Sequence, residues 1–319
     1  AGSPRQSLPH GEQAALEVMT GTSLPEGADT VVPFEDTHRE GDTFRVTGPE
    51  VDSAQFVHHQ GSDFRQSTEL LPTGTRLRSI EIGIAASCGY AELTVSRQPT
   101  VAVFGTGDEL VPVETQPAPH QIRRSNARVA ASALAANGAD VQIIGHLTDR
   151  VDEERAKLKQ AVAVSEIVVI SGAVSKGQLD WIPGFLDDIG DCVFHGVRQR
   201  PGKPMGVWQI PDGPTVFALP GNPVSTLACT HRYVVPFVKT GMGFQQEQWE
   251  CRLLEPYAFD RPLTLFLPVR RNATGDVSPA PVNNSGDYAS LAGTDGFIEL
   301  PSTENHWTAG TVTPFTPWS

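Results

Sequence analysis

The chain has 319 residues, a formal net charge of −13 and a hydrophobic content of 39%. This length accommodates two or three domains, and no apolar run approaches the roughly 20 residues that a membrane-spanning helix needs. The acidic balance argues against a nucleic-acid partner. The cysteines (Cys88, Cys192, Cys229 and Cys251) are scattered, which argues against a zinc site and favours a reducing, cytoplasmic location.

Residues 1–98 have the character of a β-rich domain. Short apolar or β-branched segments alternate there with Gly, Pro and Asp turns, a pattern typical of strands. One short helix is expected at Ile80–Ser87, ending near Gly89. The expected strands are Thr30–Pro33, Phe44–Thr47 and Ala91–Val95.

From residue 99 to residue 245, apolar strands alternate with amphipathic helices. This alternation predicts a parallel sheet that is covered by helices on both faces. Ser125 and Asn222 are suited to cap two of the helices, and Pro223 fits the first helical position after Asn222. The expected strands are Val101–Phe104, Val141–Ile144, Ile167–Ile170, Val193–Phe194 and Val216–Leu219, and the expected helices begin near Ser125, Asp152, Trp181 and Pro223.

Residues 246–319 show short strands at irregular spacing, with turns between them. This pattern predicts a small β-barrel or sandwich. The expected strands are Cys251–Leu254, Leu263–Val269, Phe297–Leu300 and Thr311–Phe315.

Motif-bearing loops follow several strands of the predicted α/β domain. Ligands of open parallel sheets bind outside the carboxyl ends of the strands, so we expect these loops to gather at one edge of the sheet. Their small residues would let a ligand approach the backbone closely. The loops are Gly105–Glu109, Ser171–Asp180 and Pro220–Asn222.

The acidic residues of these loops are candidates for a metal site. Asp108 and Glu109 are adjacent carboxylates, which suit Mg²⁺ held through one or two oxygens while phosphates complete its shell. The same pair also fits the N-terminus of a helix, where the macrodipole favours acidic side chains. Asp180 is a second acidic candidate, and its alternative role is to cap the helix at Trp181.

The loop from His195 to Pro204 concentrates positive charge in an acidic protein. It carries Arg198, Arg200 and Lys203, and its prolines stiffen it. Guanidinium and ammonium donors suit a tetrahedral dianion. The alternative is an ordinary solvated basic loop.

The most specific motif is Arg200-Pro-Gly-Lys-Pro204 followed by Leu219-Pro-Gly-Asn-Pro-Val-Ser225. Together with further motifs it resembles the MoeA family, the molybdopterin molybdenumtransferases, whose relatives include the E domain of gephyrin. The resemblance runs from about Ala1 to the C-terminus, but the family's long N-terminal region has no counterpart, so we expect a fragment. The further motifs are Met19–Asp29, Thr106–Leu110, Ser125–Asn126 and Ser171–Gly177.

The resemblance implies a fold of three parts and a reaction. The fold would be a parallel-sheet, three-layer α/β domain of the molybdopterin-binding type, flanked by an N-terminal β-rich domain and a C-terminal small β-barrel. The reaction would insert molybdate into adenylylated molybdopterin, with Mg²⁺ and with release of AMP. A homodimer and a molybdopterin adenylyltransferase as partner are also implied.

The resemblance also assigns roles to residues of this sequence. The catalytic set would be Arg200 and Lys203, which hold molybdate, together with Asp180. Mg²⁺ would be held by Asp108 and Glu109. The residues expected to bind the pterin adenylate or the oxyanion are Thr106, Gly107, Ser125, Asn126, Ser171, Gly172, Ser175, Gly202, Pro220, Gly221, Asn222 and Ser285.

Three positions depart from the best-known members of the family. Gln178 stands where many have Glu, Arg124 where many have Asp, and Ala173 where many have Gly, so no catalytic carboxylate is assigned to positions 178 and 124. Two rival functions stay open: a nucleotide- or pterin-adenylate-handling enzyme of the adenylyltransferase type, and a non-catalytic scaffold like the gephyrin E domain. Molybdate-dependent release of AMP separates molybdate insertion from both.

Overall fold

The computed structural model describes residues 5–8, 14–148, 150–172, 174, 181–245 and 248–318. Contacts within the chain divide it into two units, Ala1–Pro72 and Thr73–Ser319. Over the described residues, no helix is both long and apolar enough to cross a membrane. The predicted boundaries at residues 98 and 245 stay a prediction.

The first unit contains a short hairpin. A 3₁₀ turn at Phe34–Asp36 leads into β1 (Thr37–Glu40), which pairs antiparallel with β2 (Thr43–Val46). Strand β2 confirms the strand expected at Phe44–Thr47. The strand expected at Thr30–Pro33 was wrong: Val31 donates its N–H to the Gln55 carbonyl, but no strand is assigned there in the described part of the unit. Pro33 lacks the N–H that a ladder would need.

The second unit opens with helix α1 (Ser79–Ser87), as expected. The Glu81 carboxylate accepts from the Arg78 backbone N–H at 2.8 Å, which satisfies a donor at the start of the helix. Gly89 follows the helix with φ of +84°, a conformation that glycine adopts without strain. The strand expected at Ala91–Val95 was wrong, because these residues lie outside any ladder of the described chain and the Val95 side chain is exposed.

Strands and helices then alternate as the sequence predicts. In chain order the elements are β3 (Thr100–Thr106), β4 (Leu110–Val111), β5 (Ile122–Arg123), α2 (Asn126–Ala136), β6 (Asp140–Leu147), α3 (Val151–Val164), β7 (Ile167–Ser171), α4 (Ile182–Ile189), β8 (Asp191–His195), β9 (Gln199–Arg200), β10 (Gly206–Gln209), β11 (Thr215–Leu219), α5 (Pro223–Cys229), a π-helical turn (Thr230–Val234) and α6 (Val235–Gly241).

The central sheet has the order β6-β3-β7-β11-β10-β8. Strands β6, β3, β7 and β11 are parallel to one another, whereas β10 and β8 pair antiparallel at one end. Alternate residues of β3 enter two separate cores: Val101 and Val103 pack with helix α2, and Ala102 and Phe104 pack with helix α3. The predicted sheet with helices on both faces is therefore confirmed, with an antiparallel edge that includes the expected strand at Val193–Phe194.

The C-terminal strands form a second sheet, in the order β12-β18-β16-β14-β15. A bridge between Leu253 and Val277 joins the two outer strands, as in a small barrel, and β9 pairs with β14 from outside that sequence of strands. The interior is apolar, with Leu267 and Ile298 buried. The elements are β12 (Trp249–Arg252), β13 (Tyr257–Ala258), β14 (Thr264–Arg271), β15 (Val277–Pro279), a 3₁₀ turn (Ala289–Leu291), β16 (Gly296–Leu300), β17 (His306–Trp307) and β18 (Val312–Pro317).

Candidate functional site

The loops after β3, β7 and β11 meet at one edge of the central sheet. The Thr106 hydroxyl donates to the Ser171 carbonyl at 3.3 Å, and the Gly172 N–H donates to the Leu219 carbonyl at 2.9 Å. A Cβ added to Gly221 would lie 3.3 Å from the Cα of Gly172, so these two loops touch through their backbones. The predicted gathering of the loops is confirmed, because the strands that carry them are parallel neighbours in the sheet.

Asn126, the first residue of α2, connects these loops through its side chain. Its Nδ2 donates to Ser171 Oγ at 3.0 Å and to the Gly221 carbonyl at 2.7 Å. Its Oδ1 accepts from the Tyr288 hydroxyl at 3.1 Å, and burial raises the pKa of that hydroxyl, which keeps it a donor. We call Asn126, Ser171, Gly221 and Tyr288 the sheet-edge network.

The Ser171 hydroxyl is buried and bonded within the protein. It lies 3.0 Å from Thr226 Oγ1 and 3.3 Å from the Pro220 carbonyl, in addition to Asn126. The hydrogen bonds of the Ser171 hydroxyl are therefore used to hold the loop after β11 in place. Ser171 thus contributes to the site by positioning its neighbours.

Two of the predicted helix caps differ from expectation. Ser125 occupies the N-cap position of α2, but its backbone is helical and its side chain makes no capping bond. Asn222 occupies the N-cap of α5 with extended backbone, yet its Nδ2 donates to Ser285 Oγ at 2.8 Å. The Ser285 carbonyl accepts the Val224 N–H at 3.0 Å, so the distant 284–288 loop satisfies the start of this helix.

A cleft of about 580 Å³ opens between the loop at residues 199–204, the start of α5 and strand β14. Its lining includes the predicted residues Arg200, Lys203 and Ser285. Burial raises the pKa of Tyr257, another lining residue, and the positive charge of Arg200 opposes that rise. We call this feature the cationic cleft. The other predicted residues among its lining are Gly202, Pro220 and Asn222.

Arg261 adds a third positive charge to the lining, and the sequence analysis missed it. It lies 61 positions after Arg200, just before β14. The parallel pairing of β9 with β14, in which Thr264 faces Gln199, brings it to the cleft. No local sequence pattern predicts that pairing. The only signal for Arg261 in the sequence was an arginine just before a strand of the barrel.

The predicted acidic pair lies on the loop after β3. The carboxylate of Glu109 lies over Gly107, where a Cβ would meet it, and the Glu109 carbonyl accepts the Ile122 N–H at 2.9 Å. Among the described residues, no group of three or more His, Cys, Asp or Glu side chains is arranged to hold a metal ion, and Asp108 and Glu109 are not among those that line the cationic cleft. Ser175 and Asp180, and likewise Lys176 and Gln178, lie outside the described residues.

Arg124 stands beside this loop. Its Nε donates to the Leu110 carbonyl at 3.1 Å. Burial, and then the nearby charge of Arg124, lower the pKa of His146 at the end of β6. The sheet edge therefore carries a guanidinium close to the acidic pair.

Comparisons with known proteins agree along the whole chain. Three family descriptions match successive regions: the MoeA N-terminal region (domain I and II) at residues 1–89, a probable molybdopterin binding domain at residues 102–240, and the MoeA C-terminal region (domain IV) at residues 250–318. The first match corrects the expectation that the family's N-terminal region has no counterpart in this sequence.

Relatives and a solved structure match at similar breadth. A molybdopterin molybdenumtransferase of Synechocystis sp. is 34% identical over 100% of this chain and 81% of its own length. One from Staphylococcus epidermidis is 30% identical over 93% of this chain and 72% of its own length. The crystal structure of a molybdopterin biosynthesis moeA protein from Pyrococcus horikosii superposes with a TM-score of 0.80 at 28% identity, covering 100% of this chain and 79% of that one.

Proposed function

The chain belongs to the MoeA family of molybdopterin molybdenumtransferases, and we propose that it binds molybdate in the cationic cleft and adenylylated molybdopterin at the sheet edge. Its activity is that of the family, the transfer of molybdenum to molybdopterin in molybdenum cofactor biosynthesis.

The observation that carries the proposal is the clustering of Arg200, Lys203 and Arg261 around one cleft in a chain of net charge −13. A tetrahedral dianion needs several charge-assisted donors to offset the loss of its hydration, and guanidinium and ammonium groups supply them. Ser285 adds a hydroxyl whose position is fixed by Asn222.

The sheet-edge network supports the second half of the proposal. The Pro220–Asn222 loop belongs to both regions: Gly221 accepts from Asn126, while Pro220 and Asn222 line the cleft. A substrate whose phosphate and adenylate parts lie along the sheet edge would therefore present its dithiolate end to the oxyanion. In this arrangement the protein acts through positioning and through neutralisation of charge.

Magnesium is a further part of the proposal. Two adjacent carboxylates on a strand-end loop fit Mg²⁺, which takes one or two protein carboxylates and leaves the other positions to water and phosphate. Asp108 and Glu109 would hold the ion, with Asp180 as a third acidic group. The ion would neutralise charge on the substrate's phosphates.

The test of the function is release of AMP from adenylylated molybdopterin as molybdate is added. We expect release that depends on molybdate. An enzyme of the adenylyltransferase type would instead consume ATP to form the adenylylated pterin without molybdate. A scaffold would bind the adenylylated pterin and release no AMP.

Association with other chains is proposed from the family alone. We expect a homodimer, working next to a molybdopterin adenylyltransferase in the cytoplasm. Sedimentation velocity at micromolar concentration tests the first expectation, and a single species with the mass of one chain would contradict it.

A further inference from the structure

The buried residue Gln199 lies at the wall of the cationic cleft, where its side chain joins the loop that carries Arg200 to the helix that follows β11. Its Nε2 donates to the Pro201 carbonyl at 3.1 Å and contacts Cys229 Sγ at 3.5 Å. Its Oε1 accepts from the Tyr233 hydroxyl. One carboxamide thus ties the basic loop to the helix behind it.

The orientation of this carboxamide is determined by its partners. A carbonyl oxygen such as that of Pro201 can only accept, so the amide nitrogen must face it. The amide oxygen then faces Tyr233, and the hydroxyl must donate. Burial raises the pKa of Tyr233 to about 12, so the hydroxyl keeps its proton at every physiological pH.

The same contacts restrict the backbone between Arg200 and Lys203. Gly202 has φ of +96°, and a Cβ at this position would lie 2.5 Å from Cys229 Sγ and 2.6 Å from Gln199 Nε2. The Lys203 carbonyl accepts the Val197 N–H at 2.8 Å. The backbone is therefore held from behind, while the side chains of Arg200 and Lys203 are exposed toward the cleft.

Tyr233 belongs to the π-helical turn Thr230–Val234, where an extra residue per turn changes the direction of successive side chains. Its neighbours on this turn reach the C-terminal strands: Arg232 Nε lies 2.5 Å from a Glu299 carboxylate oxygen, and the His231 ring lies 5.4 Å from that of Trp318. The turn therefore contacts Gln199 through Tyr233 and the C-terminal part of the chain through Arg232 and His231. These contacts fix the position of the hydroxyl that orients Gln199.

We propose that Gln199 and Tyr233 are positioning residues for molybdate binding, which hold the Arg200–Lys203 loop so that both cations face one oxyanion. This inference rests on the proposed function of the cleft. Tyr233 is not among the lining residues of the cleft, and the carboxamide of Gln199 is engaged by protein groups. Tyr233 orients that carboxamide, and the carboxamide fixes the Pro201 carbonyl, which lies between the two cations in the sequence.

The test uses two substitutions. Tyr233→Phe removes only the hydroxyl, and Gln199→Met conserves volume while it removes the oxygen and the nitrogen of the carboxamide. For Tyr233→Phe we expect the molybdate concentration for half-maximal AMP release to rise about 3- to 10-fold, the range of one lost hydrogen bond. Gln199→Met should raise it about 10-fold or more. The rate at saturating molybdate and the affinity for adenylylated molybdopterin should stay within about twofold.

Two tyrosines provide matched controls. Tyr90→Phe removes an exposed hydroxyl and should leave both substrate parameters unchanged. Tyr288→Phe removes the donor to Asn126 and should weaken binding of the pterin adenylate more than that of molybdate. Opposite responses of the Tyr233 and Tyr288 variants would support separate roles for the two regions.

Lys203→Ala distinguishes failure of this inference from failure of the proposed function. If Lys203→Ala raises the molybdate requirement but Tyr233→Phe does not, the positioning role is overturned and the cleft assignment stands. If Lys203→Ala also has no effect, the cleft assignment itself is wrong. If Tyr233→Phe weakens both substrates in proportion to a loss of thermal stability, the hydroxyl has a general structural role and the inference is overturned.

Discussion

The sheet edge and the cationic cleft share the Pro220–Asn222 loop, yet they are built from different groups. The sheet-edge network is neutral: Asn126 and Ser171 carry no charge, and their hydrogen bonds go largely to the protein itself. The charged groups of that edge, Arg124 and the acidic pair, lie beside the network on the loop after β3 and its neighbour. In the cleft, Arg200 and Lys203 are charged and exposed toward the cavity, and buried neutral groups support them from behind. A shaped edge contributes fit, whereas a charged cleft contributes attraction for an anion.

This difference predicts different responses to solution conditions. Salt screens exposed charges over a Debye length of about 8 Å at physiological ionic strength, but it has little effect on hydrogen bonds buried within the protein. Added salt should therefore weaken the binding of molybdate, whereas it should have little effect on the hydrogen bonds of the sheet-edge network.

Asp108→Asn should have the largest effect of the substitutions, because Asp108 is one of the few charged groups proposed to act at the sheet edge. We expect Mg²⁺-dependent turnover to fall on the order of 100-fold, since charge stabilisation at a reacting phosphate is lost. Folding should change little. The measurement is AMP release across a Mg²⁺ titration, with circular dichroism as the check on folding. Unchanged turnover in a folded protein would remove the metal role of Asp108.

Lys203→Ala tests the charged side of the comparison. A charge-assisted hydrogen bond to the dianion contributes on the order of 1.5–3 kcal/mol, so the molybdate concentration for half-maximal turnover should rise roughly 10- to 100-fold. Affinity for the pterin adenylate should change much less. Lys159→Ala, an exposed lysine on α3, is the matched control for loss of one charge. If molybdate and pterin affinities fall together, Lys203 belongs to the phosphate site.

The parts that were predictable from the sequence are those with local signals. Apolar strands such as Val101–Phe104 and the Pro223 helix start were confirmed because period, burial and capping residues agree over short stretches. The same holds for the loops that follow the parallel strands, which topology brings to one edge.

The parts that were missed depend on partners distant in the sequence. Tyr288 reaches Asn126 across 162 positions, and Arg261 enters the cleft through the β9–β14 pairing. The expected strand at Thr30–Pro33 has β propensity, but the described part of its unit offers it no ladder, and tertiary context overrode the preference. Strand β10 was not anticipated, since its four residues follow a loop without a clear period.

Asn126→Ala tests the neutral side of the comparison. The substitution removes both donors to Ser171 and Gly221 and leaves the Tyr288 hydroxyl without its acceptor. We expect affinity for adenylylated molybdopterin to fall about 10- to 30-fold, with a much smaller change in the molybdate requirement. The measurement is direct binding of the pterin adenylate, beside a molybdate titration of turnover.

Asn137→Ala is the matched control for Asn126, because Asn137 lies just after the other end of α2, where its Nδ2 donates to the Ala133 carbonyl at 2.8 Å. It should cost stability without a change in either substrate affinity. Equal losses of affinity in the two variants would mean that Asn126 acts only by stabilising its helix.

The smallest expected effect concerns His231, which lies on the π-helical turn behind the cleft. This effect is seen only on acidification. Burial, and then the charge of Lys239, lower the pKa of His231 to about 4, against about 6.5 in an unfolded chain. As the pH falls below 6.5 the unfolded chain therefore takes up the proton first, so the stability held above that pH is lost progressively down to about pH 4. Between pH 7 and pH 5 this loss amounts to about 1–2 kcal/mol in the free energy of unfolding.

His231→Phe keeps a ring against Trp318 and removes the titration, so urea unfolding at both pH values should show a smaller loss in the variant than in the wild-type protein. Carboxylates titrate in both proteins and cancel in that difference. An identical pH dependence would show that His231 takes up its proton without cost in the folded state. A reduced dependence, in which His231→Phe also relieves the acid-induced loss of molybdate affinity more than that of pterin-adenylate binding, would tie the cationic cleft more closely than the sheet-edge network to the packing around His231.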